Sequence, residues 1–212
     1  MGIFDLFFIF VFLIVVGLII TILVHTVTGH FQDALRWLKI LGALVTAYLL
    51  VVVIVSLASP QRVVAAGENR CFDDWCLAVH DVHFTREIGP AKANGIYYEV
   101  NIRISNRARG RTQRENGVIV HLVDSQGRKY DPSDAAQRAY EVLHGPTAPL
   151  SSTIPLGQFI DTVRVFELPV DAKNVGLVVS HNTGPGPGLF VIGDGSSLLH
   201  RPTIIRLPAP GI

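Results

Sequence analysis

Histidines and carboxylates are the first residues to examine for chemistry, because a cluster of them could bind a metal ion. Of the eight histidines, the tightest group with a carboxylate is His80, Asp81 and His83. In a strand, His80 and His83 point to opposite faces, so only Asp81 and His83 share one. Two side chains do not complete the four-ligand shell of a zinc site, and we interpret them as solvent-facing polar residues. His121 lies in an apolar stretch, where histidines are typically packed or hydrogen-bonded. We therefore expect no metal and no cofactor.

The sequence also lacks a signature for nucleophilic catalysis. Ser196 and Ser197 follow Gly-Asp-Gly, but no Gly-x-Ser-x-Gly elbow surrounds either serine. Residues 184–188 spell Gly-Pro-Gly-Pro-Gly, in which the prolines remove backbone donors that a phosphate-binding loop needs. We expect a surface loop there, and we expect that the protein is not an enzyme.

A cluster of arginines is the most marked local charge. It comprises Arg107, Arg109, Arg111 and Arg114, with Glu115 as the only acidic residue between 106 and 116. The cluster follows a strong strand pattern, which predicts a loop at one end of a folded domain. It could bind an anionic partner such as phospholipid headgroups, an acidic glycan or an acidic protein face. The alternative is a solvated loop that keeps the domain soluble.

The two cysteines, Cys71 and Cys76, predict a disulfide. Two thiols alone make a poor zinc site, and their spacing is not the two-residue spacing of redox motifs. Closing so short a loop contributes about 2 kcal/mol by the chain-entropy estimate. Such bonds persist in exported compartments. The alternative is two unrelated reduced thiols.

Charge is distributed unevenly along the 212 residues. Of the 18 basic and 17 acidic residues, only Asp5, Asp33, Arg36 and Lys39 lie in residues 1–59. Two apolar stretches, about 3–24 and 40–59, are each long enough to cross a hydrocarbon core of about 30 Å as a helix. The near-neutral remainder excludes a strongly basic nucleic-acid binder and an acidic disordered tail. We predict a transmembrane hairpin (1–59), a linker (60–70) and one exported domain (71–212).

The flanking charges predict an orientation for the hairpin. The first apolar stretch has no basic residue before it and is longer than a signal-peptide core, so we expect it to be retained. Arg36 and Lys39 favour a cytoplasmic loop between the helices, with both termini outside the cytoplasmic membrane. Small residues, namely Gly17, Thr21, Gly42 and Thr46, permit close helix packing within the hairpin or between copies of a homo-oligomer.

Alternation of apolar and polar residues predicts an antiparallel β-sandwich after the linker. The clearest strand is 97–105, where Tyr98, Val100, Ile102 and Ile104 share one face. Further strands are predicted at 77–84, 118–123, 161–168, 175–180, 189–192 and 203–207. One helix is predicted over 133–143, with Ser133 as its cap. About seven short strands with little helix are typical of a sandwich.

Three phrases resemble a bacterial immunoglobulin-like family, the domain-of-unknown-function 4352 type. They are YYEVNIRISN (97–106), VHLVDSQGRKYDPS (120–133) and PLGQFIDTVRVFELP (155–169), which include the matched positions Leu122, Asp124, Gly127, Tyr130, Pro155, Gly157, Phe166 and Pro169. The resemblance covers roughly residues 75–181 and implies an immunoglobulin-like sandwich on a membrane-anchored surface protein. Many members carry a lipidated cysteine, whereas Cys71 follows Glu-Asn-Arg, so anchoring here should be by helices. The resemblance transfers no catalytic residues.

Together these features predict a non-catalytic binding or structural module of the bacterial cell envelope. Its expected partner is an envelope protein or an anionic surface, and not nucleic acid. The alternative is an accessory subunit of a membrane transport or signalling complex, and a weaker one is an envelope hydrolase. Fold alone does not choose among these functions.

Overall fold

The computed structural model describes residues 3–72, 74–181, 186–193 and 197–210. Contacts divide the chain into two compact units. One contains Met1–Gln61 and Pro185–Pro202, and the other contains Arg62–Gly184 and Thr203–Ile212. Residues 185–202, predicted as part of the exported domain, therefore group with the N-terminal helices.

Two long apolar helices form the first unit. Helix α1 spans Ile3–Val27 and helix α2 spans Phe31–Ala58. By length and composition both can cross a membrane. The predicted bounds were too short, because residues 31–39 belong to α2 and only residues 28–30 form the turn. Phe31, Ala34, Leu35 and Leu38 have helical spacing, and Ala34 is buried, so the helix extends through a segment predicted as a loop.

The strand predicted at 189–192 is wrong. Residues Pro187–Phe190 form a short 3₁₀ helix instead. The Leu189 N–H donates to the Gly186 carbonyl and the Val191 N–H to the Gly188 carbonyl, both at 3.1 Å. A short apolar run does not by itself distinguish strand from helix, and here the local bonds span three residues.

A two-sheet β-sandwich forms the second unit. Within the described residues its strands are β1 (Val63–Ala65), β2 (Arg70–Phe72), β3 (Trp75–Ile88), β4 (Ala91–Asn106), β5 (Val118–Val123), β6 (Lys129–Tyr130), β7 (Phe159–Leu168), β8 (Gly176–His181) and β9 (Ile204–Arg206). One sheet has the order β1-β9-β8-β5-β6 and the other β2-β3-β4-β7. All pairs are antiparallel except β1 with β9. The predicted fold class, two apolar helices followed by a β-sandwich, is confirmed.

The linker predicted at 60–70 is shorter in the structure. Strand β1 lies within it and pairs in parallel with β9 through Val64 and Ile205. Both side chains belong to the core between the sheets. The linker prediction missed β1 because three residues are too few to show alternation, and because the partner strand lies about 140 residues later.

The core lies between the two sheets. Tyr98, Val100, Ile102 and Ile104 of β4 are buried in it, as the alternation predicted. The opposite face of β4 also buries Tyr97, which packs in a small second cluster with Val165 of β7 and Ala136. Ala136 belongs to helix α3 (Asp134–His144), whose N-cap Ser133 accepts a hydrogen bond from the Ala136 N–H at 3.4 Å. Helix α3 therefore covers part of the outer face of the four-stranded sheet.

Candidate functional site

The β2–β3 hairpin forms one part of the arginine-bearing end of the sandwich. Cys71 and Cys76 form a disulfide, and they are also paired across the two strands. Beside them, the rings of Phe72 and Trp75 stack with centroids 4.6 Å apart. Disulfide and ring stacking together fix this hairpin, from which Asp74 projects toward the next loop.

The loop between β4 and β5, residues 107–117, is held by a buried asparagine. Asn106 is 3 % exposed. Its Nδ2 donates to the carbonyls of Arg111 at 3.0 Å and Ile154 at 2.9 Å, and its Oδ1 accepts from the Ala108 N–H at 2.8 Å. A short bridge between Gln113 and Ile154 adds a second attachment. The loop is therefore anchored to the loop before β7, and its charged side chains are presented from a fixed backbone.

The four loop arginines divide into two pairs. Arg111 forms an ion pair with Asp74, and the Arg114 Nε donates to the Ser151 carbonyl at 3.1 Å. Arg107 and Arg109 are exposed, and neither forms an ion pair within the described residues. The pairing of Arg111 neutralises part of the predicted cluster. The guanidinium groups of Arg107 and Arg109 remain exposed to solvent.

A fifth arginine nearby, Arg103, lies on β4 rather than in the loop. Its guanidinium makes two 2.8 Å bonds to the Asp161 carboxylate and lies over the Phe159 ring at 4.1 Å. The two bonds lower the pKa of Asp161, against the opposing effect of its burial. This paired, stacked geometry gives Arg103 a structural role on the sheet surface.

A polar groove beside α3 was not predicted from the sequence. Its cavity is about 170 Å³ and is lined by Asn101, Tyr140, His144, Thr147 and Asp161, among others. The buried Asn101 Oδ1 accepts no hydrogen bond from the described residues. Ligand pockets in proteins are usually about 300–1,000 Å³. The groove is therefore too small for most organic ligands, and the arginine loop is the better candidate surface.

Polar side chains near the groove include one that holds α3 on the sheet and two carboxyl groups with shifted pKa values. Gln137 Oε1 accepts from the Val165 N–H at 3.0 Å, and Gln137 Nε2 donates to the Val163 carbonyl at 3.2 Å. Hydrogen bonds from Thr147 and Gln137 lower the pKa of Glu141. Burial raises the pKa of Glu99, although His83 and His144 oppose that rise. Signals for this arrangement were absent from the sequence, because its members come from three separate elements.

The motif that carries the family resemblance builds a turn rather than an open site. The Asp124 side chain is fully buried and accepts from the Arg128 Nε at 2.7 Å and the Tyr130 hydroxyl at 3.0 Å. It also accepts from the N–H groups of Gln126 and Arg128. Burial alone would raise the pKa of Asp124, but the bonds from Arg128, Tyr130 and Gln126 outweigh it and the pKa is lowered.

The histidines form no metal cluster in the part of the chain that the structure describes. His80 lies at a β-bulge, where the register of β3 shifts between Val79 and Asp81. His83 is exposed and pairs across the ladder with Glu99. His121 is half-buried and burial lowers its pKa. These positions agree with structural or surface roles.

Of the two serines considered for catalysis, one lies outside the described residues and the other is engaged in packing. Ser196 is the former. Ser197 is 5 % exposed, and its Oγ lies 2.8 Å from the Ser56 Oγ of α2. This contact lies within the helical unit, where it joins α2 to the connection between β8 and β9.

No family model matches the chain, and no curated protein matches it either. Among solved structures, it is similar to a conserved hypothetical protein from Bacillus anthracis at 15 % identity and a TM-score of 0.42, over 57 % of this chain and 92 % of that one. It is also similar to a secreted protein from Mycobacterium tuberculosis (15 %, TM-score 0.43, 59 % and 94 % covered). A third is an uncharacterized β-sandwich protein from Clostridium difficile (12 %, TM-score 0.42, 71 % and 96 % covered). We draw no functional argument from similarities at this level.

Proposed function

We propose that this protein is a membrane-anchored, non-catalytic binding module whose β-sandwich lies outside the cytoplasm. The observation that carries the proposal is the apolar surface of α1 and α2. Large apolar side chains point outward from both helices, for example Phe10 and Leu13 at 60 % exposure and Ile54 at 62 %. A contiguous apolar surface of this extent marks a membrane or protein interaction site. The helix lengths suit a bilayer.

Two features support placing the sandwich on the exported side. Arg36 and Lys39 lie at the helix-connecting end, and cytoplasmic loops carry an excess of such residues. The Cys71–Cys76 disulfide lies at the start of the sandwich, and disulfides persist in oxidising compartments outside the cytoplasm. The sandwich itself is proposed to be of the immunoglobulin-like type that the motifs around Asp124 and Phe166 resemble.

Arg107 and Arg109 are proposed as the contact for an anionic partner. Both are exposed on a loop whose backbone is fixed by the buried Asn106. A fixed loop loses little conformational freedom on binding. Charged groups at the rim of an interface act mainly on association rate and specificity, and salt screens them.

Labelling with a membrane-impermeant amine reagent in intact cells or spheroplasts tests the orientation. Lys129 and Lys173 lie in the sandwich, and Lys39 lies near the connection between the helices. We expect label on Lys129 and Lys173 in intact cells and on Lys39 only after lysis. Label on Lys39 alone before lysis would place the sandwich in the cytoplasm and refute the proposal.

Affinity for a polyanion tests the arginine contact. The probe is immobilised heparin, with the full chain in mild detergent at low salt. We expect the variant Arg107→Ser/Arg109→Ser to elute at lower salt than the native chain. The variant Arg86→Ser/Arg138→Ser removes the same charge from two exposed positions elsewhere on the sandwich, and we expect it to elute near the native chain. Equal shifts for both variants would show that only net charge matters.

A further inference from the structure

The described residues of the connection between β8 and β9, 186–193 and 197–202, lie along α2 rather than in the sandwich. They belong to the same compact unit as the helices. Three hydrogen bonds fix the alignment. The Tyr48 hydroxyl donates to the Phe190 carbonyl at 2.7 Å, Ser56 Oγ and Ser197 Oγ share a bond of 2.8 Å, and Gln61 Nε2 donates to the Pro202 carbonyl at 3.1 Å.

These contacts follow one face of α2 in order. Tyr48, Val52 and Ser56 are spaced four residues apart and therefore share a face. Val52 and Ser56 are fully buried, whereas Leu50 and Ile54 on other faces are more than half exposed. Phe190, Ser197 and Pro202 contact Tyr48, Ser56 and Gln61 in turn, so the connection runs in the same chain direction as α2, and the last contact lies just beyond the helix end at Ala58. The connection therefore follows α2 toward the C-terminal end of that helix.

Helix geometry gives the distance of the Tyr48–Phe190 contact from the C-terminal end of α2. Tyr48 lies ten residues before Ala58, where α2 ends, which is about 15 Å along the axis at about 1.5 Å per residue. That distance is about half of a hydrocarbon core of roughly 30 Å. If α2 spans the bilayer, Phe190 lies well below the headgroups.

We propose that this connection, whose described parts are residues 186–193 and 197–202, is a re-entrant segment that inserts into the outer half of the bilayer beside α2. This inference rests on the proposed membrane anchoring of α1 and α2. Between Gly186 and Leu199 the sequence has six large apolar residues, namely Leu189, Phe190, Val191, Ile192, Leu198 and Leu199, and Asp194 is the only ionisable residue in that range. His200 and Arg201 follow at the end that returns to the sandwich. Phe190 and Leu199 are 42 % and 59 % exposed, so they present apolar side chains to lipid.

Part of the described backbone of the segment is hydrogen-bonded within the protein. Non-helical backbone is tolerated at membrane depth only where protein satisfies its polar groups. The N–H groups of Leu189, Val191 and Leu198 donate to the carbonyls of Gly186, Gly188 and Leu189, and the Phe190 carbonyl accepts from Tyr48. Pro187 has no N–H to satisfy.

Depth-dependent fluorescence quenching tests the insertion. Since both native cysteines form the disulfide, Phe190→Cys and Leu199→Cys each supply a single thiol for a bimane label. The labelled full chain is reconstituted in phosphatidylcholine vesicles with nitroxide-bearing lipid. Leu13→Cys on α1 is the membrane control and Val142→Cys, 83 % exposed on α3, is the water control.

We expect positions 190 and 199 to lose at least half of their fluorescence to the lipid nitroxide, as position 13 does, while position 142 is unaffected. If the labels at positions 190 and 199 are not quenched, like the label at 142, while the label at 13 is quenched, the insertion of the segment is refuted and the membrane anchoring of the helices is not. No quenching at 13 would overturn the membrane anchoring itself. Because a label could disturb the segment, the unmodified chain is also photolabelled by diazirine-bearing lipid. Adducts on a peptide covering 186–202 support insertion, and their absence, with α1 peptides labelled, contradicts it.

Discussion

The helical unit and the sandwich distribute polar and apolar groups in opposite ways. In the helical unit Phe10, Leu13 and Ile54 face outward, and a pair of hydroxyls, Ser56 and Ser197, is buried. In the sandwich Tyr98 and Phe166 are fully buried, and arginines such as Arg107 and Arg109 are exposed. Each unit therefore suits a different solvent. The hydrophobic effect stabilises the sandwich, whereas apolar helices in lipid associate through packing and hydrogen bonds.

Both units still bury polar groups, and they satisfy them differently. Among the described residues the buried polar side chains are Ser56, Asn106, Asp124, Thr162 and Ser197. In the sandwich, Asp124 and Asn106 each bind several backbone and side-chain groups. In the helical unit, one neutral hydroxyl bonds another. The contrast predicts large effects of polar substitutions in the sandwich and small ones in the helical unit.

The largest expected effect comes from truncating the sandwich core. Phe166→Ala should lower the free energy of unfolding by about 3–5 kcal/mol, because it removes a fully buried ring and leaves a cavity. Urea unfolding in mild detergent, followed by the fluorescence of buried Trp75 in a Trp37→Phe background, measures the loss. Phe10→Ala, at an outward position of α1, should change the same transition by less than about 0.5 kcal/mol. A similar loss for both variants would break the contrast between the units.

Asp124→Asn should give the next largest effect. The substitution removes the charge that binds Arg128 and Tyr130, which costs about 2–3 kcal/mol for charge-assisted hydrogen bonds. The pKa of Asp124 is lower in the folded than in the unfolded protein. Its contribution to the free energy of unfolding is therefore fully present above the unfolded-state pKa of about 3.9, and it is lost as the pH falls through the folded-state pKa.

Urea titrations of the native chain and Asp124→Asn, near neutral pH and at about pH 3, test the linkage. The difference in the free energy of unfolding between the two chains should be smaller at the acid pH than near neutral pH. Asp171→Asn provides the control, since Asp171 also binds Arg128 but is 58 % exposed. Its effect should stay below about 1 kcal/mol. A pH-independent difference for Asp124→Asn would remove the charge explanation.

Removing the disulfide should lower the free energy of unfolding somewhat less than Asp124→Asn does. The paired substitution Cys71→Ser/Cys76→Ser releases a constraint on a short loop of the unfolded chain, worth about 2 kcal/mol. The same Trp75 fluorescence reports the change. The native chain treated with reductant should match the double variant, and the variant itself should not respond to reductant. A native chain insensitive to reductant would indicate that the thiols are not paired in the purified protein.

Local patterns in the sequence predicted those parts of the fold that neighbouring residues determine. Alternation predicted β4 and its inward row from Tyr98 to Ile104, and Ser133 marked the start of α3. Strand β1 was missed because its partner is remote, and the 3₁₀ helix at Pro187–Phe190 was mistaken for a strand because four apolar residues suit either structure.

The candidate site was less accessible to sequence reasoning. The arginine cluster was visible as a run of charge, but its division into engaged and available members depends on Asp74 and Ser151, which lie 37 residues away in opposite directions. Likewise, the packing of residues 186–202 on α2 joins positions about 140 residues apart. Contacts of that range leave no periodic signal in a single sequence.

The smallest predicted effect concerns the hydroxyl pair of the helical unit. Ser56→Ala removes the bond to Ser197. Hydrogen bonds between membrane helices contribute about 0.6 kcal/mol on average, which corresponds to roughly a threefold change in an opening equilibrium. Hydrogen exchange of a peptide covering residues 186–202, measured for the chain in lipid nanodiscs, should therefore accelerate about threefold. Ser59→Ala is the matched control, because its hydroxyl bonds the Val55 carbonyl of its own helix. If Ser59→Ala accelerates exchange as much as Ser56→Ala, the pair does not hold the segment on α2, and packing alone does.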